Sequence, residues 1–342
     1  MKILIIRFSS FGDVLQTLSV AGLLRMQFPT AEIHWVTREE FKGLIETHPA
    51  VTKVWTLSRS QKLAGLWQLG SELKKQRFTH VYDAHNNLRS HFLGWRLKGF
   101  ADWRSWTGQI VFLRRCIYRF RRFMLFRFRR NLFPRPFSGQ QALLEPLKKW
   151  GLPLRAPSAP QLFISEAIRV AVRAQYPALA DKRFLALAAS AAFPLKRWPV
   201  DYWKRLILLA KDEHFVLLGG PEDQFLAEIE AAAPERVLNL AGKLSLVESA
   251  AVVELSHGLI ANDTGLMHVA EQIGRSCVAL MGPAPFGFPS RPTTRILEIS
   301  LACRPCSKHG QGPCINPEFQ KCLRDIAPEH VLREMAGLEA CR

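Results

Sequence analysis

Lys2-Ile3-Leu4-Ile5-Ile6-Arg7-Phe8-Ser9-Ser10-Phe11-Gly12-Asp13-Val14-Leu15 is the stretch whose reading decides the fold. A short apolar run ends in a turn of small residues. Val14, Leu15, Leu18, Ala21 and Leu24 then recur at the 3–4 spacing of a helix with one buried face. Strand-like runs follow at 32–36, 52–57 and 80–84, with helix-length segments such as 63–76 between them. Strands alternating with helices predict a parallel sheet covered on both faces.

Working outward, Pro134, Pro136, Pro146, Pro153, Pro157 and Pro160 interrupt the pattern, and 151–160 reads as a domain boundary. The alternation then restarts. Strands are expected at 184–188, 215–218, 237–240, 258–261 and 277–281, and helices at 201–211, 224–232, 246–256 and 265–273. The expectation is two α/β domains facing across a cleft, 1–160 and 161–342, with the last helix able to pack back on the first. A length of 342 residues fits two cores better than one. With 48% hydrophobic and 22% charged residues, the composition is that of a globular protein and excludes a disordered one. No apolar run approaches the ~18–20 residues of a membrane span. The opening run, broken by Arg7, is too short for a signal peptide, so the expected compartment is the cytoplasm. The seven cysteines are then thiols or metal ligands rather than disulfides.

The net charge of +18 is unevenly spread. Between Arg89 and Arg135 stand thirteen Lys and Arg against one acid, Asp102. One region, not the whole fold, is built to meet an anion. Within it, 110–130 reads as a helix from 112 to 124. Phe112, Leu113, Cys116, Ile117, Phe120, Phe123 and Met124 lie on one side, and Arg119, Arg121, Arg122 and Arg127 are among the cations between them. Such a helix suits the headgroup layer of an anionic membrane. No RNA-binding motif accompanies the charge, so nucleic acid is not the expected partner.

Four constellations carry candidate chemistry, each directly after a strand, where open α/β sheets bind ligands. Asp13 can take a proton from a substrate hydroxyl or cap the following helix. The first turn holds no Gly-x-Gly-x-x-Gly, so a dinucleotide oxidoreductase gains no support. Ser190 to Pro199 offers small residues and Lys196 to a phosphate, or forms an ordinary surface loop. Gly219-Gly220-Pro221-Glu222 places an acid where a ribose diol could bind, or where a helix begins. Asn262-Asp263-Thr264-Gly265-Leu266-Met267-His268 is the most specific. Asp263 or Thr264 caps a helix whose first N–H groups face an anion, and His268 lies a turn further in, either toward that ligand or satisfied in the core.

Taken in order, with Leu240-Ala241-Gly242-Lys243 included, these motifs resemble glycosyltransferase family 9, the ADP-heptose:lipopolysaccharide heptosyltransferases. Asp83-Ala84-His85-Asn86-Asn87-Leu88-Arg89-Ser90 is similar to the family's acceptor-side loop, with His85 where a Gln often stands. The resemblance implies a GT-B fold of two Rossmann-like domains, the acceptor held by the first and an ADP-sugar by the second, with no cofactor required. It implies Asp13 as general base and Ser190, Lys196, Glu222, Asp263, Thr264, Gly265 and His268 as donor contacts. Arg89 and Ser90 fall on the acceptor side. Ala191 and Ala192 depart from members that carry hydroxyls before the Lys. The implied activity is inverting transfer of heptose from ADP-heptose to a lipid A-linked inner core, on the inner face of the inner membrane. The alternatives are a relative using another nucleotide-sugar or acceptor, or a non-catalytic RNA- or membrane-binding protein on the same scaffold. Cys303, Cys306, Cys314 and Cys322 pair as Cys-x-x-Cys only once, so free thiols are expected, with a structural zinc as the alternative.

Overall fold

The apolar opening run becomes the central strand of a sheet, with Ile3 to Ile6 fully buried. The computed structural model describes residues 1–61, 63–98 and 110–340. Its first sheet holds β1 (Lys2–Ile6), β2 (Glu32–Arg38), β3 (Lys53–Leu57), β4 (His80–Asp83) and β5 (Val111–Arg114), all parallel in the order β3-β2-β1-β4-β5. Its second holds β6 (Phe184–Ala188), β7 (His214–Leu217), β8 (Val237–Asn239), β9 (Gly258–Asn262), β10 (Ser276–Met281) and β11 (Thr294–Glu298), again parallel, in the order β11-β10-β9-β6-β7-β8.

Both orders reverse direction once. In the first sheet the chain steps from β1 to β2 and β3, then returns to lay β4 on the other side of β1. In the second it steps from β6 to β7 and β8, then returns to lay β9 beside β6. Loops leaving the carboxyl ends of strands at such a switch diverge and open a crevice between them. The loops so selected are those after β1 and β4, and those after β6 and β9. Three of the four candidate motifs and the 83–90 loop fall there.

The chain divides into two units, Met1–Ile117 with Gln140–Phe163, and Tyr118–Gly139 with the chain from Ile164 onward. Three expectations change. First, the helix expected at 112–124 is a strand and then a later helix. Val111, Phe112 and Leu113 pair in register with His80, Val81 and Tyr82, and a helix runs only over Arg119–Phe128. The β-branched and aromatic run serves better at the sheet edge, where Leu113 is buried. Second, 118–139 belongs with the second unit. Phe126, Phe133 and Phe137 all pack edge-on against Phe286, and Ser138 bridges to Phe288. Third, the last helix, Pro328–Ala340, packs on the second sheet, burying Val331 and Met335 in its core. A Cβ at Gly258 would stand 2.8 Å from Met335 Sδ, so β9 must be bare there. Residues 99–109 of the basic stretch, and Cys341, lie outside the described residues. Among the described residues no helix is long and apolar enough to cross a membrane.

Candidate active site

The first switch point gathers charge around Asp13. The helix Phe11–Gln27 starts from Ser10, whose N–H and hydroxyl donate to Asp13 Oδ2 at 3.4 and 2.8 Å. This is the capping role, and the sequence had left it open. The structure adds partners that local reading missed. Buried Arg7, just past β1, lies 2.5 Å from Asp13 Oδ2, and Arg115 lies 3.8 Å from Oδ1. Burial opposes ionisation of Asp13, but Arg7, Arg115 and the Ser10 hydrogen bonds outweigh it and hold the carboxyl well below the usual carboxylate range. Burial in turn pushes the Arg7 guanidinium down to about 10, against the pull of Asp13. Arg7 also donates to the Ala84 carbonyl at 2.5 Å, tying the loop after β4 to the strand beside it.

That loop is rigidly built. Asp83, fully buried, accepts from the N–H groups of His85 and Asn86 at 3.1 and 2.7 Å and from the Ser90 hydroxyl at 2.9 Å. Ser90 and Asn87 exchange side chain-to-backbone bonds at 2.9 and 3.0 Å, capping the helix Leu88–Lys98. Ser90 is therefore buried and committed to the fold. The acceptor-side role that the resemblance gave Ser90 thus falls on a buried hydroxyl, whereas Arg89, beside it, is exposed. His85 stacks edge-on against Phe8 at 5.7 Å. Burial, and then Arg7, lower its pKa to about 4, so the ring is neutral at neutral pH. Asn86 donates to the Arg115 carbonyl at 2.8 Å and so steadies the second cation facing Asp13.

The second switch point holds a nearly buried ion pair, Lys196 Nζ to Asp263 Oδ2 at 2.6 Å. Each side chain comes from a loop that the sequence had singled out. Asn262, fully buried, accepts from the Trp198 N–H at 3.1 Å and donates to the Ala189 carbonyl at 2.6 Å, fastening the loop after β6 to the end of β9. Thr264 is the N-cap of the helix Gly265–Ile273 and makes no side-chain cap bond. The N-terminus of a helix without a side-chain cap is suited to an anion, which its first N–H groups can meet. Ser190 is half-buried just past β6.

Beside Gly219-Gly220, the acid that shapes the turn is Asp223, one position past the Glu222 that the sequence singled out. Asp223 is buried, accepts from the Gly220 N–H at 2.8 Å and pairs with Arg197 at 3.3 Å. Arg197 also donates to the Ala191 carbonyl at 3.0 Å, joining the two loops. Glu222 stays exposed, with its carboxylate folded over Gly220, where a Cβ would stand 2.5 Å from Oε2. Gly242, at a φ of +71°, sits where a Cβ would fall 2.8 Å from Pro221 Cα, so the 240–243 motif backs the same turn. His268 is buried, its Nδ1 3.1 Å from Glu271 Oε2. Burial raises the Glu271 carboxyl, but the His268 contact and the Ser290 hydrogen bonds outweigh it and leave it ionised below its ordinary range. His268 is thus buried, with Glu271 of its own helix as one of its partners.

Cys303, Cys306 and Cys314 are half-buried and Cys322 is buried, all as free thiols. Cys314 Sγ accepts from the Gln320 N–H at 3.3 Å and Cys303 Sγ from the Asn316 amide at 3.4 Å. Among the described residues no three His, Cys, Asp or Glu side chains are arranged to hold a metal ion, so the zinc alternative finds no support here.

Two parallel sheets, each with a polar cluster at its own switch point, define the GT-B class of α/β fold. A family model for glycosyltransferase family 9 (heptosyltransferase) matches residues 66–319, and the chain belongs to that family. It is 26% identical to lipooligosaccharide heptosyltransferase 2 of Haemophilus ducreyi over all of both chains. Among solved structures it is similar to E. coli ADP-heptose LPS heptosyltransferase II, with a TM-score of 0.75 at 21% identity, covering 100% of this chain and 99% of that one. E. coli heptosyltransferase WaaC with ADP-2-deoxy-2-fluoro heptose gives 0.68 at 19%, covering 98% and 99%.

Proposed function

We propose that this protein is an inverting glycosyltransferase moving a heptose from ADP-heptose to the lipid A-linked inner core of lipopolysaccharide, at the cytoplasmic face of the inner membrane. The observation that carries the reading is the Lys196–Asp263 pair at the uncapped N-terminus of the helix Gly265–Ile273. It stands in a chain related over its full length to heptosyltransferases. A lysine beside unpaired helix N–H groups is a diphosphate site in chemical terms.

On this reading the second unit holds the donor. Lys196, Thr264 and the N–H groups of Gly265 and Leu266 meet the diphosphate, Glu222 the ribose, and Ser190 and Asp263 the hydroxyls of the sugar. The first unit holds the acceptor, with Asp13 receiving its hydroxyl proton. The hydroxyl oxygen bonds to the anomeric carbon from the face opposite the leaving group, and its proton passes to Asp13 as that bond forms. The electron pair of the breaking C–O bond passes to the diphosphate, which inverts the centre. Lys196 and the helix N-terminus stabilise the charge developing there, as preorganised donors do. A divalent ion has no required part in this scheme.

The test is incubation with ADP-heptose and truncated lipopolysaccharides, read by mass. Gain of one heptose in the presence of EDTA is the expected result, together with ADP binding by calorimetry that EDTA leaves unchanged and Glu222→Ala weakens. Chelation that abolishes ADP binding while Glu222→Ala and Thr264→Ala leave it intact would remove this donor site. Transfer from a different nucleotide-sugar alone would move the protein elsewhere in the family.

A further inference from the structure

The helix Arg119–Phe128 is attached by one narrow face. Leu125 is buried, Phe126 packs against Phe286, and the Arg122 guanidinium lies 4.7 Å over the Phe286 ring. Apart from half-buried Met124, the rest of the helix points outward. Phe120 is 69% exposed, Phe123 57% and Phe128 53%, and Leu132 just beyond is 47% exposed. Phe123 and Phe128 touch edge-on at 5.6 Å, so these rings form a group rather than isolated residues. Around them Arg119, Arg121, Arg127, Arg129 and Arg130 are exposed, and the sequence has no acid between Asp102 and Glu145.

Scattered exposed apolar residues are ordinary, but a group of bare phenylalanines is not. Water penalises them, and nothing in the second unit covers them. Arginines among them would repel a second copy of the same surface and attract a polyanion. A nucleic acid answers the charge but gives the rings no apolar medium. A bilayer with anionic headgroups answers both, since the rings enter the acyl boundary while each guanidinium forks onto a phosphate above it.

We infer that the outward face of Arg119–Phe128, extended by Leu132, docks the protein on the phosphate-rich face of an anionic lipid bilayer. The inference rests on the proposed reading only in that a lipid-linked acceptor gives the docking a purpose. Phe120, Phe123 and Phe128 are the inserting groups. Arg119, Arg121 and Arg127 are the headgroup contacts, and Arg122 is left to pack on Phe286. Arg129, which donates to the Pro305 carbonyl at 3.1 Å, ties the end of the helix to the unit beneath.

The test is co-sedimentation of the full chain with vesicles of phosphatidylglycerol and phosphatidylcholine, at moderate salt. Binding that requires the anionic lipid is expected. Arg119→Gln, Arg121→Gln and Arg127→Gln together should weaken it by roughly fivefold for each charge removed. Phe120→Ala, Phe123→Ala and Phe128→Ala together should leave a weak association that high salt abolishes. Unchanged melting temperatures will show that both variants fold. Turnover on a delipidated acceptor should be equal in all three proteins, and only the KM for vesicle-borne acceptor should rise. Absence of vesicle binding in the wild type, equal binding by either variant, or RNA binding that outcompetes vesicles would overturn the inference. So would a concentration-dependent dimer lost in the Phe variant. If vesicles bind but no heptose is transferred, the docking surface stands and the proposed reaction falls. Transfer without vesicle binding gives the converse.

Discussion

Replacing Asp13 by Asn is expected to lower turnover by roughly 10²–10⁴, the usual worth of a positioned base, while ADP affinity stays at the wild-type level. Asn keeps the size of the side chain and can still accept from the Ser10 N–H, so the start of the helix Phe11–Gln27 survives. What is lost is the negative charge between Arg7 and Arg115. Those cations make Asp13 a weak base in the resting protein, and this bears on when the proton moves. A carboxylate held below its usual range takes little proton from a neutral hydroxyl. It accepts one readily once the oxygen has begun to bond to the anomeric carbon and has become acidic. Proton transfer is therefore expected late in the step.

The pH dependence follows with its sign. The folded pKa of Asp13 lies below the unfolded value of about 3.9, so its contribution to stability is present above that value and lost as pH falls through the folded pKa. The rate profile should show no acid limb from Asp13 between about pH 5 and 8. Steady-state kinetics on purified Asp13→Asn and wild type across that range check both statements. Near wild-type turnover in the variant leaves Asp13 only its capping role. An acid limb near pH 6 that disappears in the variant contradicts the influence of the two arginines.

How far the sequence alone reached is uneven, for physical reasons. β1, β6, β9 and β10 are buried on both faces, and continuous apolar runs announce that directly. β11 lies at an edge with only Leu297 buried, so its Thr-Arg-Ile-Leu-Glu carries little signal. β5 is an edge strand too, and it leads straight into the arginine-rich stretch, whose period reads as a helix. The loops of the site were legible because small residues and acids after buried strands are unusual. Their wiring was not. Arg115 is far from Asp13 in sequence, and Asp223 differs from Glu222 by one position at a turn whose geometry only the fold determines. Arg7 did leave a signal, since a cation ending a fully buried strand needs a counter-charge nearby. Ser90 came in with its whole loop by resemblance, and that its hydroxyl is donated to Asp83 at the end of the preceding strand shows only in the fold.

Lys196→Met should show two effects that a second substitution separates. The first is stability. Lys196 and Asp263 are nearly buried together, so losing the ammonium leaves a carboxylate without its counter-charge, at a cost of about 3 kcal/mol. For a unit of this size that corresponds to a fall in melting temperature of roughly 6–12 °C. The second is affinity. A charge-assisted contact to the diphosphate is worth about 1.5–3 kcal/mol, so ADP should bind roughly 10–150-fold more weakly. In Lys196→Met with Asp263→Asn the stranded charge is gone and the melting temperature should recover, because replacing both partners of a buried pair is nearly neutral. ADP affinity should not recover, since the helix Gly265–Ile273 offers its N–H groups but no full charge. Calorimetric titration of ADP and thermal melts on the three proteins decide the point. If the double variant regains ADP affinity, Lys196 serves only to neutralise Asp263, and the helix N-terminus alone holds the diphosphate. If the single variant is as stable as the wild type, water reaches the pair freely and the site is more open than the 2.6 Å contact indicates.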